Sequence, residues 1–270
     1  KSGLRSIFNF FPAILLAPAF CAGKMIYGNA FQNSLYMWGL AGKFQSSLLV
    51  FLAGFPLWWI VYKRVNKCLA FFILFAFWFA TPLWPTSVDY LQHHPLMLLK
   101  LLSLWLLWGS HENDHIGNSR NFAGGLALSL SVLCRYQTLP SAVIIALYTL
   151  FVLGKNKYSC SFLLGGIIII PFTLFYHYNV FGSPFRTGPL VWLNFKNPFF
   201  KTAFSLIFNP SKGVLIHSPW IGVGIVGLII SLIKDHTPFL KKNISILCVL
   251  SAIPVFLLYS KLNGWYGGWC

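Results

Sequence analysis

Arg135 closes an apolar run in Leu133-Cys-Arg-Tyr-Gln137, and Lys212 stands in Phe208-Asn-Pro-Ser-Lys-Gly213, where a turn enters a helix. A lysine beside exposed backbone amides at a helix start suits a phosphate oxygen, and Gly213 lets the backbone come close to a ligand. Both cations are candidate phosphate contacts, with Arg186 behind them. Asp89 precedes the pair His93 and His94 in Asp89-Tyr-Leu-Gln-His-His94 and is a candidate general base, or a partner to a cation. The histidines could shuttle protons or hold a phosphate, His94 being the favoured one. Trp265, Tyr266 and Trp269 present aromatic faces on which a ligand ring could stack. Each also has a plain structural reading. Arg135 could snorkel to the membrane interface and Lys212 could anchor there. Asp89 could cap a helix, the histidines could be polar loop residues, and the tryptophans could be interfacial anchors.

Other clusters point to less. Glu112, Asp114 and His115 lie close in sequence but have no second cluster to complete a ligand set. The six cysteines include no CxxC pair and no Cys/His ligand spacing, so no metal site is expected. Lys100 lies close enough to a helix end to snorkel and receives no role.

The elements that must position these residues are membrane helices. Of 270 residues, 57% are apolar and 9% charged, and mean hydropathy is +0.70, whereas soluble domains are about 25% charged. Apolar runs fall at about 46–62, 68–84, 95–109, 121–139, 140–154, 159–178, 214–233 and 244–260, which predicts an all-α, polytopic transmembrane bundle of about eight spans. The pair meeting at Leu139-Pro140 is read as one crossing near 121–136 and a second after the proline. An apolar stretch from Ile7 to Tyr27, carrying Pro12 and Pro18, either spans the bilayer or forms an interfacial or re-entrant segment. Residues 1–270 read as one domain, with 178–213 a long outer-face loop whose aromatics lie in the interface.

Twenty Lys and Arg against four acids give +16. In a membrane chain that charge points to anionic headgroups or phosphate-bearing substrates rather than to nucleic acid. Basic residues concentrate in alternate loops. Lys63, Arg64, Lys67, Arg120, Lys155, Lys157, Lys234, Lys241 and Lys242 fill about 32 positions that are placed inside, at about three times the density of the outer loops.

Five stretches, taken in order, resemble one family. They are Asn9-Phe-Phe-Pro-Ala-Ile-Leu-Leu-Ala-Pro-Ala-Phe20, then Ala80-Thr-Pro-Leu-Trp-Pro-Thr-Ser87 with His93 or His94, then Tyr178-Asn-Val-Phe-Gly-Ser-Pro-Phe185 with Thr187-Gly188. Phe208-Asn-Pro-Ser-Lys-Gly-Val-Leu-Ile-His-Ser-Pro219 and Trp265-Tyr-Gly-Gly-Trp269 complete the set. They are similar to motifs of the polytopic membrane glycosyltransferases of the GT-C class, the group that includes protein O-mannosyltransferases and the aminoarabinose transferase of lipid A. The resemblance implies transfer of a sugar from a polyprenyl-phosphate donor to a lipid, glycan or protein acceptor at the outer or lumenal face. The donor acts as co-substrate, no other cofactor is implied, and a bacterial inner membrane is favoured over the endoplasmic reticulum.

The chain departs from the family pattern at Ala13 (Gly), Asn9 (Lys in some members), Lys212 (Arg) and His217 (Tyr). The family's catalytic acid would lie in an outer loop before Lys1 and an arginine just after Cys270, so the chain is expected to be an inactive internal fragment. The alternative is a multi-pass transporter or lipid-linked sugar flippase, which calls for ionisable residues near the bilayer midplane and two similar halves.

Overall fold

The computed structural model describes residues 11–32, 34–63, 65–79, 93–109, 117–151, 157–184, 198–210, 213–234 and 244–261. Every regular element among them is helical. The helices are α1 (Phe11–Gln32), α2 (Leu35–Tyr62), α3 (Lys67–Phe79), α4 (His93–Gly109), α5 (Gly117–Cys134), α6 (Leu139–Phe151), α7 (Lys157–Ile167) and α8 (Ile169–Phe181). They are followed by α9 (Phe199–Phe208), α10 (Val214–His217), α11 (Trp220–Lys234) and α12 (Ile244–Lys261).

Local chemistry sets the ends of several helices. Ser34 caps α2 by accepting from the Met37 amide at 3.3 Å, and Asn66 Oδ1 accepts from the Leu69 amide at 2.8 Å at the start of α3. Gly182, at φ 74, takes the left-handed conformation that ends α8. Between α5 and α6 the chain makes a short 3-10 turn, Tyr136–Thr138, and Pro140 then sits in the first turn of α6 where its missing N–H costs nothing. Two helices, not one, therefore meet there. α1 runs through Pro18 and instead breaks at Gly28, at φ 56.

Among the described residues, two helices are long and apolar enough to cross a bilayer. Residues Tyr36–Tyr62 span 27 positions at mean hydropathy 1.6, and Tyr158–Phe181, which joins α7 to α8, spans 24 at 1.9. At 1.5 Å per residue both exceed a hydrocarbon core of roughly 30 Å.

α5 is the centre of the bundle, packed most extensively on α7 and α4, while α4 also packs on α2 and α6 on α12. The core joins Leu104 and Leu107 of α4, Leu128 of α5, Ile145 and Tyr148 of α6, Phe162 of α7 and Leu247 of α12. Between α5 and α7 the backbones touch. A Cβ on Gly125 would stand 1.8 Å from the Phe162 carbonyl oxygen, and one on Gly165 would stand 2.0 Å from that of Phe122. Small residues at a helix seam are how membrane helices gain close contact without a hydrophobic driving force.

Small polar residues share the interior with the apolar core, while many large apolar side chains face outward. Ser46, Ser103, Asn121, Ser131, Ser141 and Thr149 are buried, whereas Phe71, Phe75, Phe172 and Phe175 are exposed. Exposed apolar surface on this scale suits contact with lipid.

The 178–213 segment is not one long loop. It begins with the last turn of α8 and contains α9, because Phe200, Phe204 and Phe208 recur at the helical interval of four. All three are exposed on one face, and Thr202 on the other is buried. α9 rests against α12.

Candidate functional site

One end of the bundle gathers polar side chains from four helices. Arg135 occupies the junction between α5 and α6. Its Nε donates to Gln137 Oε1 at 2.5 Å, and its Nη1 lies 2.8 Å from Nδ1 and 2.5 Å from Nε2 of His93, the first residue of α4. Gln137 Oε1 also accepts from the Tyr259 hydroxyl of α12 at 2.6 Å. The Arg135 guanidinium lies 5.6 Å from the centre of the Tyr259 ring. A guanidinium has donors and no acceptor, so His93 must offer it a lone pair and is held neutral there. Lost hydration among the helix ends, then Arg135, then His94 lower the His93 imidazole to about 4.

Beside this cluster, the Tyr136 hydroxyl donates to His177 Nε2 at 2.6 Å, and His177 Nδ1 donates to the Pro184 carbonyl at 3.2 Å. The Pro184 contact fixes the tautomer of His177, leaving its Nε2 as an acceptor. His177 is buried on α8, so the pair ties the end of that helix to the 3-10 turn. Deeper in, Lys100 Nζ of α4 donates to Ser141 Oγ at 2.5 Å. Ser141 lies in the first turn of α6, so the amine reaches toward the Arg135 end.

Below the cluster, α5, α6, α7 and α8 enclose a half-open apolar cavity of about 590 Å³. Tyr136, Gln137, His177 and Pro184 stand at its mouth, and Leu128, Val132, Val143, Ala146, Leu163 and Ile170 line its walls. Along α5 the lining runs from Gly125 to Leu133, eight helical positions or about 12 Å. The arrangement is amphiphilic, with a cation and hydrogen-bonding groups at the head and a dry trough below. Gln137 belongs to both parts.

Of the residues singled out from sequence, Arg135 stands at this head. His94 is fully buried and its Nδ1 pairs with Ser46 Oγ of α2. The histidine that meets Arg135 is its neighbour His93, because successive helical residues point about 100° apart. Asp89, Arg186, Lys212, Trp265 and Trp269 lie outside the described residues. So do all four acids of the chain, Asp89, Glu112, Asp114 and Asp235.

Sequence reasoning missed Gln137, Tyr259, Tyr136 and His177. Gln137 stood two residues from Arg135 and was within reach of a local reading. Tyr259 is 122 residues from Gln137, and no spacing in the chain signals that pair.

No family model, curated protein or solved structure matches the chain. The functional reading therefore stands on the geometry and on the motifs quoted above.

Proposed function

We propose that the chain is the membrane-embedded part of a glycosyltransferase of the GT-C kind. On this reading it moves a sugar from a polyprenyl-phosphate donor to a lipid, glycan or protein acceptor at the outer face of a multi-pass, eight-span bundle. The observation that carries the reading is the pairing of the Arg135 head with the apolar cavity beneath it. A polyprenyl phosphate has the same two-part chemistry, an anionic head on a hydrocarbon chain.

In the transfer step the anomeric C–O bond to phosphate breaks and a bond to the acceptor oxygen forms. The acceptor proton passes to a base, for which Asp89 is the candidate within this chain. The polyprenyl phosphate leaves with one more negative charge, which Arg135 stabilises in a site poor in water. Gln137 and Tyr259 hold the guanidinium in place, and His93 lies beside it. Lys212 and Arg186 supply further cationic contacts, and Trp265 and Trp269 hold the sugar by its ring face.

The test uses the protein in its native membrane with a photoreactive polyprenyl phosphate. Light-dependent labelling within α5, α6 or α8, competed by unlabelled polyprenyl phosphate and lost in Arg135→Gln, supports the reading. Absence of competable labelling in the wild type overturns it. Labelling with lipid translocation and no sugar transfer would move the assignment to a lipid-linked sugar flippase.

A further inference from the structure

A second cavity lies at the opposite end of the bundle. It is bounded by α2, α3 and α4, has a volume of about 730 Å³, and is walled by Phe55, Trp58, Trp59, Trp78, Leu102 and Trp105 among others. Its rim is cationic. The Arg120 guanidinium, from the first turn of α5, lies 4.9 Å from the centre of the Trp105 ring, and Lys63 Nζ lies 5.7 Å from that of Trp59. The Trp59 and Trp105 rings, both part of the cavity wall, meet edge to face at 6.4 Å, so the two cations stand over adjoining rings. Lys67 Nζ, 6.0 Å from the Tyr62 ring, extends the basic rim. The Trp105 Nε1–H is buried and has no acceptor among the described residues. A buried donor of this kind calls for a partner.

We propose that this cavity binds an anionic phospholipid, with an acyl chain against the ring walls and the phosphodiester between Arg120 and Lys63. An ester or phosphate oxygen of the lipid serves as acceptor for Trp105 Nε1. The charge distribution selects the headgroup. A choline ammonium would need open ring faces, but those of Trp59 and Trp105 already carry Lys63 and Arg120, which would repel it. A phosphate without an attached cation is drawn by both side chains. The α4–α5 connection carries Glu112 and Asp114, against which Lys63, Arg64, Lys67 and Arg120 leave this end of the chain net positive. Basic side chains next to a membrane helix concentrate anionic lipid. The proposal rests on the membrane setting and not on sugar transfer, since the cavity and the Arg135 head lie at opposite ends of α4 and α5.

The experiment places the wild-type protein in phosphatidylcholine nanodiscs and adds phosphatidylglycerol or phosphatidylcholine carrying dibrominated acyl chains, which quench tryptophan on contact. The expected result is half-maximal quenching at a mole fraction of brominated phosphatidylglycerol about threefold lower than for brominated phosphatidylcholine. Trp105→Phe should remove most of that excess quenching, and Lys63→Gln should bring the two lipids closer together. Arg120→Gln should do so as well; if that variant fails to insert, the exposed Lys63 carries the test alone. Equal quenching of the wild type by the two lipids overturns the proposal, as does a preference that survives both Trp105→Phe and Lys63→Gln.

Discussion

Arg135 and His93, 42 residues apart in the chain, meet at the junction of α4, α5 and α6, with Nη1 2.5 Å from Nε2. Among the described residues, Arg135 is set against a neutral imidazole, an amide oxygen and a tyrosine ring and against no carboxylate. That is the condition for receiving a phosphate. Arg135→Gln is expected to lower polyprenyl-phosphate labelling and turnover by about 100-fold, the loss typical when one donor to a developing charge is removed. Tyr259→Phe, which keeps the ring and removes the hydroxyl to Gln137, should cost less, about tenfold. Competition labelling and single-turnover transfer read both, and an unchanged Arg135→Gln protein removes this residue from the site.

The pairing also sets a pH response. The His93 imidazole lies near 4 in the folded protein against an ordinary value of 6.5, so the unfolded chain binds the proton more readily between those values. This contribution to stability is therefore fully present above about 6.5 and is lost as pH falls toward 4. Thermal unfolding in micelles at pH 7 and pH 4.5 should show a drop that is smaller in His93→Gln. Equal drops in the two proteins would show that His93 does not couple to the fold.

The seam between α5 and α7 makes a prediction about stability. Gly125→Ala drives a methyl group toward the Phe162 carbonyl, where it would stand 1.8 Å away, and backbone must shift to admit it. Overpacking of this kind costs typically about 1 to 3 kcal/mol. Gly166→Ala, whose new Cβ would stand 3.8 Å from the Gly125 carbonyl oxygen, should be far milder. Thermal denaturation of the two variants side by side tests the contrast.

Filling the cavity should separate binding from folding. Ala146→Phe places a ring into the space between α6 and its neighbours, while Ala146 is only partly buried and has room around it. Labelling by polyprenyl phosphate should fall about tenfold with the unfolding temperature little changed. A parallel loss of both would mean that the cavity serves packing alone.

α9 should ride in the membrane surface through Phe200, Phe204 and Phe208. A spin label at position 204 should show shallow immersion by collision with lipid-soluble oxygen. A label accessible only to water-soluble reagents would lift the helix off the bilayer.

Much of the helical architecture was legible because long apolar runs bounded by polar residues mark where helices fall. The 46–62 run lies within α2 and the 244–260 run falls on α12 to within a residue, and Pro140 marked the break between α5 and α6. α9 was harder to see, since its four-residue phenylalanine interval sat inside a stretch read by its polar punctuation. At the site, Arg135 was visible as a cation ending an apolar run. The choice between His93 and His94 was not, because it depends on the rotation of α4 about its axis, and that is set by distant packing: Ser46 takes one histidine and Arg135 the other. Tyr259 reaches Gln137 through the contact of α12 with α6, which no local pattern encodes.

The backbone contact at Gly125 and Gly165 has a consequence for selectivity. With α5 and α7 already touching, that side of the trough cannot yield, and adjustment falls to α6, which joins α5 through the short turn before Leu139. Such a slot gauges the girth of a hydrocarbon more strictly than its length. Methyl-branched isoprenoids and straight acyl chains would be told apart by thickness, while homologues differing by a few units at the far tip would be treated alike.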